Sequence, residues 1–282
     1  MVRAVVFATI LLLASGAWAA PATVVELGAT TIRQGQAVAV TVRTSAEGPL
    51  VIQFAGRQWP LYRQKEVWQT YLGTDPGTAS GRREITVEAV NPEGRVVLAT
   101  RYITVMRVKF TRRQLSFDPE TSALLDPKLL VEEGRRVTAA LQKLDPGQLW
   151  EGGFATPVAG VLTSGYGILS IYQGEVRGWH RGIDLAAPEG TPVHAANSGI
   201  IRLAELLPVS GNGVMIDHGM GILTAYLHMS AIEVIVNQYV SRGAVIGRVG
   251  MTGLATGPHL HWGVRVNGVY VDPLPWTEPA SK

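Results

Sequence analysis

The 282-residue sequence contains no cysteine. That absence excludes disulfides, thiolate-ligated zinc, a thiol nucleophile and a cysteine-linked lipid anchor. Charge is also sparse. Charged residues make up 17% of the chain and hydrophobic residues 46%, a balance that argues for packed globular domains and against disorder. The formal net charge is only +3. That is too weak to support nucleic-acid binding, though it suits an anionic polymer as partner. Histidine is scarce: there are six in all, and residues 20–105 hold none. Beyond residue 20 no apolar run reaches the length of a membrane span.

What is present begins with residues 1–19, which read as a secretory signal. Arg3 supplies the positive start, residues 5–13 the apolar run, and Ala17-Trp18-Ala19 a small-residue cleavage site. The alternative, an uncleaved anchor, is disfavoured by the shortness of the run. Cleavage after Ala19 takes away Arg3 and no acid, so +3 becomes +2. The expected product is secreted or periplasmic, with no stable membrane anchor.

Residues 20–105 alternate apolar and polar positions with turn signals at short intervals. Stretches 37–42, 50–54, 84–90 and 96–105 predict strands, the last two joined through Asn91-Pro92-Glu93-Gly94. Several short strands without a helix predict an immunoglobulin-like β-sandwich. Residues 106–149 read as a linker that could pack beside the functional groove of the following domain, a pure tether being the alternative. Arg107, Lys109, Arg112 and Arg113 form a basic cluster, expected to be a solvated surface. One connecting helix is predicted over 127–144, with Asp126 as N-cap and Pro127 in its first turn. Leu129, Leu130, Val137, Leu141 and Leu144 would form its buried stripe. Residues 150–282 are glycine-rich and read as an antiparallel β-sheet domain. Strands are expected at 161–163, 191–196, 199–206, 213–218, 223–228, 244–249, 259–266 and 269–271. Gly211-Asn212-Gly213 and Asn267-Gly268 carry turn signals.

Two short stretches of this last region stand out. The first is His180-Arg181-Gly182-Ile183-Asp184 and the second His259-Leu260-His261. His259 and His261 share a face if 258–265 is a strand, since side chains alternate there. His180 and Asp184 share a face in either extended or helical backbone. His180, Asp184 and His261 could therefore close on one ion. Two imidazoles and a carboxylate suit zinc, and three protein ligands leave one position for water. Either stretch alone is common by chance. Together with His228 they hold four of the six histidines.

An ordered series of motifs now adds a resemblance. Thr163-Ser164-Gly165-Tyr166-Gly167 is followed by HRGIDLAAPEGTPVHAA from His180 and GNGVMIDHGMGILTAYLHMS from Gly211. GAVIGRVGMTGLATGPHLHWGV then runs from Gly243, before Asn267-Gly268 and Val271-Asp272-Pro273. Residues 150–275 resemble the lysostaphin-type zinc metallopeptidases, which act on peptidoglycan. The resemblance implies that His180, Asp184 and His261 are zinc ligands. It implies that His228 and His259 are the two non-ligand histidines of the active site. One would take the water's proton and the other bond the developing oxyanion; the sequence does not decide which, and His259 is favoured as base and His228 as oxyanion stabiliser. Tyr166 and Trp179 are candidates for lining a substrate groove, with plain aromatic packing as the alternative. His194, His218 and Asp217 are given structural or surface roles. Family members commonly carry arginine two residues after the Gly-Tyr-Gly element, where this chain has Leu169. The implied activity is hydrolysis of peptide bonds in peptidoglycan stems or cross-bridges. The rival reading is a non-enzymatic peptidoglycan-binding regulator that activates an amidase. A D-alanyl-D-alanine carboxypeptidase is disfavoured by the three-residue gap between His180 and Asp184.

Overall fold

A computed structural model describes residues 22–277. The signal-like segment 1–19 lies outside the described residues. Nine strands form the first unit: β1 (Thr23–Leu27), β2 (Thr31–Arg33), β3 (Ala37–Thr44), β4 (Leu50–Phe54), β5 (Arg57–Pro60), β6 (Tyr62–Gln64), β7 (Val67–Gly73), β8 (Gly81–Asn91) and β9 (Gly94–Met106). They make two sheets, β1-β3-β7-β6 and β2-β9-β8-β4-β5. The alternation of the sequence decides the faces. Val38, Val40 and Val42 of one sheet and Ile85, Val87 and Ile103 of the other point into a shared core, as expected of a sandwich.

The connector carries β10 (Arg112–Leu115), α1 (Pro119–Ala123) and α2 (Pro127–Ala140). Asp126 caps α2, accepting from Lys128 N, and Pro127 opens it. Two expectations fail here. The helix stops at Ala140, not at 144, because Asp217 and His218 draw the chain onto the sheet. Asp145 N donates to Asp217 Oδ2 at 2.7 Å, and Leu149 N to the His218 carbonyl at 2.8 Å. The stripe is not buried either: no residue of α2 is, and Leu130 is 47% exposed. Val137 and Leu141 rest, half-buried, on a small apolar patch of Leu203, Leu207, Met215 and Ala225. No helix among the described residues is long and apolar enough to cross a membrane.

The second unit contains β11 (Val161–Ser164), β12 (Leu169–Tyr172), β13 (Glu175–Trp179), β14 (Ile183–Ala186), β15 (Pro192–His194), β16 (Gly199–Leu207), β17 (Gly211–Gly219), β18 (Ile222–Met229), β19 (Ala231–Ile232), β20 (Tyr239–Val240), β21 (Val245–Arg248), β22 (His259–Val266) and β23 (Val269–Val271). Its main sheet is antiparallel, ordered β11-β14-β22-β18-β17-β16-β20, with β23 beside β22. Central β18 is buried almost throughout, because both of its faces are covered. The Asn267-Gly268 turn forms as its composition predicts, with φ of 45° and 90°.

The turn expected at Gly211-Asn212-Gly213 lies at residues 208–210 instead, and those glycines belong to β17. Gly211 answers to packing: a Cβ there would meet Thr252 Oγ1 at 2.3 Å. Asp217 is no surface residue. It is fully buried, bonded to the guanidinium of Arg202 and to the backbone N–H groups of Asp145 and Gly219. Burial nonetheless pushes its carboxyl upward, against those bonds. His218 is structural, as expected, holding the Ser198 carbonyl and the Thr224 hydroxyl at 2.7 Å each.

The two units share one continuous apolar core. Polar bonds cross between them as well. Tyr62 donates to Asn267 Oδ1 at 2.7 Å, and Asn267 Nδ2 donates to Thr70 Oγ1 and the Tyr71 carbonyl at 3.1 Å.

Candidate metal centre and groove

Strands β14 and β22 assemble the site. Their register sets Asp184 opposite His261 and Ala186 opposite His259. Strand alternation then turns His259 and His261 to one face. His180 lies in the irregular stretch before β14. Its Nδ1 donates to the Gly165 carbonyl at 2.7 Å, which fixes the tautomer and leaves Nε2 bare toward the site. That Nε2 is 2.9 Å from Asp184 Oδ1 and 3.0 Å from His261 Nδ1. The latter two atoms are also 3.0 Å apart.

Three donors in so tight a triangle suit one small cation. A tetrahedral ion about 2.0–2.1 Å from each donor sets donors roughly 3.3 Å apart, close to the observed spacing. The charge states agree with a ligand role. Burial pushes the Asp184 carboxyl up, but the His180 and His261 rings against it outweigh burial and hold the group well below the usual carboxylate range. Burial pulls the His261 imidazole down, so its ring is neutral near pH 7.

The other two histidines face the triad. His259 Nδ1 donates to the Gly257 carbonyl at 2.8 Å, and its Nε2 points inward, 3.8 Å from Asp184 Oδ1. His228, at the end of β18, donates from Nδ1 to the Thr252 carbonyl at 2.9 Å. The rings of His228 and His259 are 4.9 Å apart between centroids. His228 has φ of 65°, a conformation that costs about 1–3 kcal/mol in a non-glycine residue. Its backbone N–H bonds to the Ser210 carbonyl, and its own carbonyl accepts from Thr252 N. Burial lowers its imidazole to about 3. Resting His228 is thus a neutral hydrogen-bond acceptor at Nε2. An oxyanion-donor role requires a proton to reach that atom first.

The five groups open into a groove of about 380 Å³. Trp179 lines it and is 39% exposed, its ring 5.6 Å from that of Phe110. Tyr166, the other aromatic candidate, does not line it. Its hydroxyl donates to the Tyr270 carbonyl at 2.8 Å, and its ring packs edge-on against Phe110 and over Gly35. The turn at Gly167 carries it toward the sandwich, where it serves the contact between units. The connector supplies wall residues that the sequence did not single out, Phe117, Leu125 and Glu133, together with Leu130, which was expected in the buried stripe of the helix. Arg113 also leaves the basic cluster expected on the surface and enters the groove. Its only sequence signal was charge, without a period to give it a face.

Comparison with known proteins bears on this region. The profile of peptidase family M23 matches residues 178–273. DD-carboxypeptidase/endopeptidase Mpg of Neisseria meningitidis is 48% identical over 95 residues, 34% of this chain and 22% of that protein. Peptidoglycan DD-endopeptidase ShyA of Vibrio cholerae is 47% identical over 89 residues, 32% of this chain and 21% of that protein. The chain thus spans about a fifth of the length of these curated relatives. A crystal structure of a Pseudomonas aeruginosa protein assigned to peptidase M23 covers more. It aligns with 86% of this chain and 93% of its own, at 28% identity and a TM-score of 0.62. The histidine-rich region that builds the groove is therefore a peptidase family M23 domain, of the lysostaphin type that its motifs resemble.

Proposed function

We propose that this chain is a secreted or periplasmic zinc endopeptidase that hydrolyses peptide bonds in peptidoglycan stem peptides or cross-bridges. The observation that carries the reading is the donor triangle of His180, Asp184 and His261, with two further imidazoles beside it at the floor of an open groove. The relatives named as peptidoglycan DD-endopeptidases support the substrate class. Zinc held by the three donors would supply carbonyl polarisation and a water of lowered pKa.

The chain's own residues handle the protons. His259 takes a proton at Nε2, since Gly257 occupies Nδ1. His228 accepts a hydrogen bond at Nε2 and, when that atom takes a proton from solvent, donates a hydrogen bond to the developing oxyanion, while the water's proton stays on His259. The proton later goes to the leaving amine, and the tetrahedral intermediate collapses. Trp179 offers a flat apolar rest for an extended peptide on the groove rim. The rival reading, a regulator without catalysis, finds no support in this site: none of the three donors is missing.

Zinc content of the purified protein, with mass spectrometry of fragments released from sacculi of several wall types, tests the proposal. Cleavage at stem or bridge amides is expected. A zinc-loaded protein that releases nothing from any wall overturns it.

A further inference from the structure

The matched family region begins at residue 178, yet a cation from the connector reaches the candidate centre. Strand β10 adds parallel to β12, setting Arg113 opposite Ser170. From there the guanidinium extends to two buried hydroxyls. Nη1 donates to Ser164 Oγ at 2.9 Å and Nε to Ser170 Oγ at 3.3 Å. The same Nη1 lies 3.9 Å from Asp184 Oδ2. Ser164 Oγ is in turn 3.3 Å from His180 Nδ1.

The two oxygens of Asp184 are thereby distinguished. Oδ1 faces His180 and His261, while Oδ2 faces Arg113. We propose that Arg113 is a positioning residue: the connector supplies it to hold Asp184 and His180 in the orientation that presents their donor atoms to the metal. This rests on the metallopeptidase reading above. It makes the connector part of the catalytic unit rather than a tether. Arginine suits the task because its planar fork serves several acceptors at once and stays charged.

A mere clip between connector and sheet predicts something different, and the sign of one measurement separates the two. By charge alone, deleting an arginine beside a cation site tightens divalent-metal binding. By orientation, deleting a partner of the ligands weakens it, typically 10–100-fold. The experiment is Zn²⁺ affinity of the full chain by chelator competition, for the unaltered protein, Arg113→Ala and Arg113→Lys. Thermal melting of the metal-free forms is followed in parallel.

The expected result is roughly tenfold or greater weakening in Arg113→Ala with an unchanged melting temperature. Arg113→Lys keeps the charge but not the fork, and should recover only part of the affinity. On peptide substrate the loss should fall in kcat more than in KM. Unchanged or tighter zinc binding in Arg113→Ala overturns the proposal. If that variant does not fold, Arg113→Lys carries the test, and wild-type zinc affinity in it overturns the proposal. An unaltered protein that holds no zinc would instead sink the metallopeptidase reading itself.

Discussion

Gly182 lies so close to His261 that a Cβ on it would sit 2.8 Å from the ring's Nε2. The same Cβ would be 2.3 Å from the Trp262 carbonyl oxygen. The glycine of the His-Arg-Gly-Ile-Asp stretch is therefore required by the strand opposite, which carries a candidate ligand. Gly182→Ala must push β22 away or tilt the His261 ring. Overpacking of this kind costs about 1–3 kcal/mol. We expect a lower urea midpoint together with loss of bound zinc. A variant that melts and holds zinc like the unaltered protein would contradict this packing.

The division between ligand and proton-handling histidines gives a second prediction. His261 Nδ1 belongs to the donor triangle, whereas His259 Nε2 stands outside it at 3.8 Å from Asp184. His261→Ala should lose zinc retention outright. His259→Ala should keep the metal and lose about 10²–10⁴-fold in turnover, the usual range for a missing general base. Elemental analysis after desalting and single-substrate kinetics check both. Near-normal turnover in His259→Ala would transfer the base role to His228.

Much of this was legible in the chain, for identifiable reasons. Strand β22 was readable to the residue because His259 and His261 alternate with Leu260 and Trp262 and because Asn267-Gly268 ends it. That His180, Asp184 and His261 meet was readable because so few histidines compete for the place. Other features were invisible because long-range partners decide them. Asp217 looks like a turn residue until Arg202 and the N–H of Asp145 are brought to it. Strand β10 has no apolar alternation, and it is extended because β12 offers an edge. Tyr166 was placed in the groove by its neighbours in sequence, but its ring turns to Gly35, far upstream. Leu169, where resemblance predicts arginine, pairs with Arg112 of β10, so the cation missing from β12 is present on the adjacent strand.

Acid should destabilise the fold through two buried imidazoles. Burial lowers His218 to about 4 and His228 to about 3. In the unfolded chain both titrate near 6.5. Between those values the unfolded state binds more protons, so stability rises with pH and is lost as pH falls from about 6.5 toward 4. For His218 alone the full shift corresponds to about 3 kcal/mol. Urea midpoints of the metal-free protein should drop across this window. His218→Gln, although less stable at pH 7, should flatten the slope. A flat profile in the unaltered protein would mean that one or both rings are charged when folded.

Glu133 connects helix α2 to the groove wall and yields the last prediction. Its carboxylate accepts from Val209 N at 2.7 Å, Ser210 N at 2.9 Å and Ser210 Oγ at 2.5 Å. Close by, Arg136 of α2 pairs with Glu205 and donates to the Leu206 carbonyl. Because α2 buries none of its residues, these polar bonds do most of the holding. An element of that kind opens at low free energy. Hydrogen bonds to a charged group contribute about 1.5–3 kcal/mol in favourable cases, and partial exposure reduces this. Glu133→Ala should therefore speed amide exchange in 127–140 at least tenfold while β17 and β18 stay protected. Leu130 and Glu133 both line the groove, so loosening α2 should widen it. Cleavage of bulky sacculi should rise relative to cleavage of a short soluble peptide. Unchanged exchange in α2 would show that the helix is held by its leucines. Faster exchange with an unchanged substrate ratio would show that this wall does not restrict entry.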